Sequence, residues 1–254
     1  MLLAVDIGNT QTHVGAFEGD ELCDSWRIAT DAAATGDQLA QTLHGLFELR
    51  QLHFSGVDEV IVSSVVPRLA TEYRRMSERY LGRDCLVVGP ELRTGIAIRT
   101  DSPRELGADR LVNAVAAFDR FADACVVVDF GTAITYDAIS DEGSYLGGII
   151  APGIEISIEA LAARAAKLPK IDLVEPERVI GRTTQQSIQS GVVYGFAGQI
   201  DGIVRRMVAE LGPATVVVAT GGQASAIAPF CEAIDEVDPL LTLTGLRLIM
   251  ERNR

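Results

Sequence analysis

The sequence is short of the residues that build covalent or metal frameworks: 254 residues hold four cysteines, three histidines and one tryptophan. Cys23, Cys85, Cys125 and Cys231 are scattered with no C-x-x-C pair. Neither a zinc site nor a disulfide framework is expected, and all four read as reduced core thiols. Basic residues are scarce as well. Against 35 Asp+Glu there are 22 Lys+Arg, a formal charge of −13. A surface of that sign repels nucleic acid and anionic bilayers, so neither is an expected partner. No stretch approaches the roughly 20 uncharged apolar residues that a membrane span needs. The opening MLLAVDIGNT has no basic segment and meets Asp6 early, so no signal peptide is expected and the cytoplasm is the expected compartment.

What is present is ordinary in amount, 48% hydrophobic and 22% charged, and informative in order. Leu2–Val5 is a short apolar run ending at Asp6 and Gly8. Leu39, Leu43, Leu46 and Phe47 fall on one stripe of a helix. Residues 60–62 and 86–88 read as buried strands bounded by Pro67 and Gly89-Pro90. A helical pattern covers 108–121, and Cys125–Val128 is a second β-branched run, ending at Asp129 and Gly131. A long helix is predicted over 185–211, and 214–219 as a further strand entering Thr220-Gly221-Gly222. Strands mixed with helices in this order predict an α/β fold.

One pattern recurs. Asp6-Ile7-Gly8-Asn9-Thr10-Gln11-Thr12 and Asp129-Phe-Gly-Thr-Ala-Ile-Thr135 each follow an apolar strand, with Asp, Gly and Thr at matching offsets. Two such loops half a chain apart predict two domains of one topology, 1–117 and 118–254. Glycine lets backbone N–H groups close on phosphate oxygens, and Thr and Asn add side-chain donors. An aspartate at a strand end supplies the hard oxygen that Mg²⁺ takes directly or through water. The alternative for either loop alone is a glycine turn capped by a side chain. Thr220-Gly221-Gly222 admits close approach of a flat group such as adenine.

These residues resemble a known family. DIGNT at 6–10, SSVVP at 63–67, ELGADR at 105–110, DFGTAITYD at 129–137 and GGIIAPG at 147–153 stand in the order seen in type III pantothenate kinases. LP at 168–169, GRTT at 181–184, SG at 190–191 and TGG at 220–222 continue it, so the likeness spans essentially the whole chain. The resemblance implies two related actin-like (ribonuclease H-like) ATPase domains with the active site in the cleft between them. It implies phosphorylation of pantothenate by ATP, a requirement for Mg²⁺ and a monovalent cation (K⁺ or NH₄⁺), and a homodimer. Carried over by position, residues 6–13, ending at His13, form the first ATP loop, with Asp6 serving Mg²⁺ through water. Asp109 resembles the proton acceptor, and Gly107, Ala108, Asp109 and Arg110 the pantothenate contacts. Asp129 matches the monovalent-cation ligand, Thr132 a phosphate contact and Thr184 a pantothenate contact. Gly221 and Gly222 fall on the nucleotide side. Thr100 stands where a tyrosine is common, which bears on one substrate contact.

The chemistry has a basis in the residues themselves. Asp109 opens a predicted helix beside Arg110, and helix dipole and cation both favour its carboxylate form. Asp129 follows an apolar run and is expected partly buried, where a carboxylate must be paired, bonded or cation-bound. Gly191, Gly195, Gly198 and Gly202 put four glycines on one stripe of the long helix, for close packing within the chain or across a two-fold axis. His13 is expected at the surface. Two other readings stay open: a non-catalytic regulator on the same fold, and an actin-like kinase for another small hydroxyl substrate.

Overall fold

In the computed structural model, which describes residues 1–165, 168–169 and 171–254, the N-terminal apolar run becomes strand β1 (Leu2–Ile7). An antiparallel meander follows through β2 (Gln11–Glu18) and β3 (Glu21–Ala29). Helix α1 (Gly36–Leu49), β4 (Glu59–Ser64), α2 (Pro67–Met76) and β5 (Cys85–Val87) complete a sheet of order β3-β2-β1-β4-β5, with β4 parallel to β1 and β5 parallel to β4. Strand β6 (Ala97–Ile98) and helix α3 (Ala108–Phe121) come next. The second series runs β7 (Cys125–Phe130), β8 (Ala133–Ile139), β9 (Ser144–Pro152), α4 (Ile154–Arg164), α5 (Thr184–Leu211), β10 (Val216–Thr220), α6 (Ala224–Ile227), β11 (Glu236–Val237) and α7 (Leu241–Arg252). Its sheet is ordered β11-β10-β7-β8-β9-β6.

Set aside the edge strand β6, and the second sheet repeats the first strand for strand. β7, β8 and β9 form the antiparallel meander, and β10 and β11 add in parallel on the other side. The expected α/β duplication is present in the topology itself. Central strands β1 and β7 are covered on both faces, and Leu3–Val5 and Cys125–Val128 are fully inaccessible. That explains why both read as continuous apolar runs and not as alternating patterns.

The first core packs Leu3, Val5 and Ile7 against Leu39, Leu43 and Phe47 of α1 and Leu69, Tyr73 and Met76 of α2. Trp26 stacks on Phe47 at 5.2 Å between centroids, and Phe54 meets the same ring edge-on at 5.5 Å. Helix α1 starts where a capping box allows it: the Thr35 hydroxyl accepts from the Gln38 amide and the Gln38 side chain accepts from the Thr35 amide. The second core packs Val126, Val128, Phe130, Ile134 and Tyr136 against Ile188, Val192, Val193, Ile200 and Val204 of α5.

The chain divides into two compact units, one of residues 1–95, 102–116 and 241–254, the other of 96–101 and 117–240. The expected second domain, 118–254, therefore loses its last fourteen residues to the first unit. The cause is α7, whose Leu243, Leu246 and Ile249 are fully buried in packing that involves β1, β2 and β4. The cysteines also depart from expectation. All four are free, but only Cys125 is buried; Cys85 and Cys231 are half-buried and Cys23 is exposed on β3. Burial pushes the Cys85, Cys125 and Cys231 thiols up to about 12, so all three stay protonated and unreactive at neutral pH.

Candidate active site

In the first unit, Asp6 stands near the carboxyl end of β1, the edge where open α/β sheets place their ligands. Gly8, Asn9 and Thr10 form the loop, closed by the Gly8 amide donating to the Gln11 carbonyl at 3.0 Å. Asn9, Thr10 and Gln11 are exposed, whereas Ile7 and Thr12 are buried and the Thr12 hydroxyl pairs with that of Thr30 at 2.9 Å. His13 is not at the surface. It is 8% exposed on β2, directly opposite Asp6 on one side and Arg27 on the other. Burial first, and the Arg27 guanidinium second, lower its pKa to about 4, so the imidazole is neutral at pH 7.

Asp109 lies in the first turn of α3, half-buried with Gly107, Ala108 and Arg110. Its Oδ1 accepts from the Arg110 amide at 2.8 Å, one of the donors a helix start leaves unpaired. A Cβ on Gly107 would fall 2.5 Å from that oxygen, so glycine here lets the carboxylate fold back over the chain. The following turns of the helix are fixed by Asn113, whose Oδ1 accepts from the Thr242 hydroxyl of α7 at 2.7 Å, both residues buried.

In the second unit the loop is Gly131-Thr132, with the Gly131 amide donating to the Ala133 carbonyl at 3.1 Å and Thr132 exposed. Asp129 is half-buried at the end of β7. Register corrects the proposed repeat at one position. Asp6 faces His13 across its hairpin, but Asp129 faces Thr135. The second hairpin is one residue shorter, so Thr135 occupies the place of His13, and Thr12 corresponds to Ile134. The Asp and Gly positions are equivalent; the Thr positions are not.

Gly221 follows β10 with φ +95°, and a Cβ there would meet Asp129 Oδ1 at 2.5 Å and the Phe130 backbone at 2.6 and 2.7 Å. The close approach that its sequence suggested is first to the Asp129 strand; Gly222 next to it is exposed. Gly153, from the GGIIAPG stretch to which no role was given, presses on the loop from α4, where a Cβ would overlap the Thr132 carbonyl. Thr184 is exposed at the start of α5, which is capped by the Thr183 hydroxyl accepting from Gln186. Thr100 Oγ1 is buried with no hydrogen-bond partner among the described residues.

The donor set fits hard cations. Among the described residues no group of three or more His, Cys, Asp and Glu could hold a metal ion. Asp129, with the Thr135 and Thr220 hydroxyl residues flanking it in register, offers only oxygen.

Residues 2–206 match the sequence model of type III pantothenate kinases. The chain belongs to the type III pantothenate kinase family. It is 52% identical over 254 residues to the type III pantothenate kinase of an Anaeromyxobacter species and 50% identical over 253 residues to that of Moorella thermoacetica, each match covering the full length of both chains. A ROK hexokinase from Thermus thermophilus superposes with a TM-score of 0.50 at 16% identity, covering 98% of this chain and 97% of that one. This last likeness is one of fold alone, and the fold is that of the actin-like sugar kinases.

Proposed function

We propose that the chain transfers the γ-phosphoryl group of ATP to the 4′-hydroxyl of pantothenate, giving 4′-phosphopantothenate and ADP, the first step toward coenzyme A. The observation that carries this reading is Asp109: one carboxylate oxygen is held by the Arg110 amide, and the other makes no bond among the described residues. In the reaction the substrate oxygen bonds to the γ-phosphorus as the bond to the β-phosphate oxygen breaks, and Asp109 takes the hydroxyl proton. Residues 107–110, Thr184 and Thr100 are assigned to pantothenate; the buried Thr100 hydroxyl suits a polar group of the substrate.

The Gly8 and Gly131 loops supply donors for the phosphates, with Thr132 beside the second, and Gly221 and Gly222 serve the nucleotide. When bound, Mg²⁺ and a monovalent cation neutralise charge on the phosphates; Asp6 is assigned to the first and Asp129 to the second. Positioning and charge stabilisation carry most of the acceleration in such transfers. The cytoplasm is the proposed compartment, in keeping with the acidic surface and with the absence of a helix long and apolar enough to cross a membrane among the described residues.

We further assign the glycine stripe of α5 to a homodimer contact. At Gly191, Gly195 and Gly198 a Cβ would meet nothing within 4 Å, so these glycines are not explained by packing inside the chain. Sedimentation at twice the chain mass is the expected result, and a monomer at micromolar concentration would refute it.

A coupled assay with ATP, Mg²⁺, K⁺ and pantothenate tests the activity. ADP release that depends on pantothenate, and falls when Na⁺ replaces K⁺, is expected. Folded protein that releases none would instead indicate a regulator, and turnover with a hexose but not pantothenate a different kinase.

A further inference from the structure

The SSVVP stretch received no role from the sequence, and its first residue is the anomaly. Ser63 is 0% exposed, and its hydroxyl has no hydrogen-bond partner among the described residues. A buried hydroxyl left unpaired is destabilising, and native structures hold few of them. Ser64, next along the chain, is fully engaged: its Oγ donates to the Val66 carbonyl at 2.9 Å and accepts from the Val66 amide at 3.0 Å. Solvent exposure, turn formation and helix capping therefore do not account for Ser63.

Its position does. In the parallel register of β1 and β4, Ser63 is the direct neighbour of Asp6, so the two side chains leave the sheet on the same face. Alternation agrees, because Val60 and Val62 of β4 and Val5 and Ile7 of β1 belong to the core on the opposite face. The second unit repeats the arrangement. Thr220 of β10 is the direct neighbour of Asp129 on β7 and is 1% exposed. In both halves a buried hydroxyl residue thus stands beside the strand-end aspartate, on the strand that adds in parallel.

We infer that Ser63 is a positioning residue for Asp6, its hydroxyl donating to the Asp6 carboxylate when Mg²⁺–nucleotide is bound. Carboxylates that serve a metal are generally held by such outer partners. A hydroxyl proton can rotate into place without moving the backbone, which suits a bond formed only in the loaded site. The inference rests on the assignment of Asp6 to Mg²⁺ and phosphate.

Calorimetric titration with MgADP, together with thermal melting, tests it on the full chain and four proteins: unaltered, Ser63→Ala, Ser63→Thr and Asp6→Asn. Ser63→Ala is expected to weaken MgADP binding about tenfold, with a melting temperature unchanged or raised because an unpaired buried hydroxyl has gone. Ser63→Thr, which installs the residue of the equivalent position in the second unit, is expected to restore binding to within about twofold of the unaltered chain. MgADP binding unchanged in Ser63→Ala overturns the inference. So does weakened binding that comes with a lowered melting temperature and is not rescued by threonine, since that pattern marks a packing role. Unchanged binding in Asp6→Asn identifies the Asp6 assignment as the failure instead.

Discussion

Asp109→Asn should leave the chain folded and able to bind MgADP while lowering kcat by about 10²–10⁴-fold, the usual range for loss of a positioned proton acceptor. The substitution is close to isosteric. An asparagine Oδ1 still accepts from the Arg110 amide that now holds Asp109 Oδ1, so the first turn of α3 keeps its cap. The turn is also braced from behind, where the Asn113 and Thr242 side chains join α3 to α7 inside the first unit. The change therefore falls on the second oxygen, which becomes an NH₂ group that donates where a proton must be accepted. In energy this is about 3–5 kcal/mol of lost transition-state stabilisation.

Steady-state kinetics and MgADP titration on one preparation separate the two effects. A kcat within threefold of the unaltered enzyme would remove Asp109 from the reaction. Because phosphoryl transfer leaves much of the bond making to a loose transition state, a loss toward the lower end of that range would still fit a proton that departs late.

Local chemistry was readable from the sequence, and register was not. Helix α3 begins and ends where its periodicity says, at 108 and 121, and both strand-to-glycine transitions at Asp6 and Asp129 occur as read. These depend on neighbours within a few residues. The false match of Thr12 with Thr135 shows the limit, because a hairpin one residue shorter shifts every partner beyond it, and offset along the chain does not reveal this. His13 was misplaced for the same reason. Its exposure depends on which face of β2 it takes and on what covers that face, and Gly15 on the same face lies against Leu243 of α7, 228 residues away. Helix α7 lies at the far end of the chain from β1, β2 and β4, and only the folded chain shows that it packs with them. Ser63 belongs to the SSVVP stretch, and what singles it out, an unpaired hydroxyl beside Asp6, is a property of the β1–β4 pairing.

Gly221→Ala is expected to be among the most damaging single methyls in the second unit. Two costs coincide at this position. The backbone sits at φ +95°, a conformation that side-chain-bearing residues rarely adopt. The added Cβ would also lie 2.5 Å from Asp129 Oδ1 and within 2.7 Å of the Phe130 backbone. Relief is hard to find, because Phe130 is 2% exposed in the core and β7 is paired on both sides, to β8 and β10. Strain of about 1–3 kcal/mol added to overpacking of about 1–3 kcal/mol should lower the melting temperature by roughly 10 °C.

Helical Gly45 provides the opposite case. A Cβ there meets nothing within 4 Å, so Gly45→Ala should stabilise α1 by up to about 1 kcal/mol. Function gives the more discriminating readout at Gly221, since the displaced atom belongs to Asp129. Activation by K⁺ over Na⁺, measured below the variant's melting temperature, should be lost more completely than kcat measured at saturating K⁺. A Gly221→Ala protein that melts with the unaltered chain and keeps its cation preference would show that β10 can withdraw from β7 without disturbing Asp129. The role of this glycine would then be confined to the nucleotide.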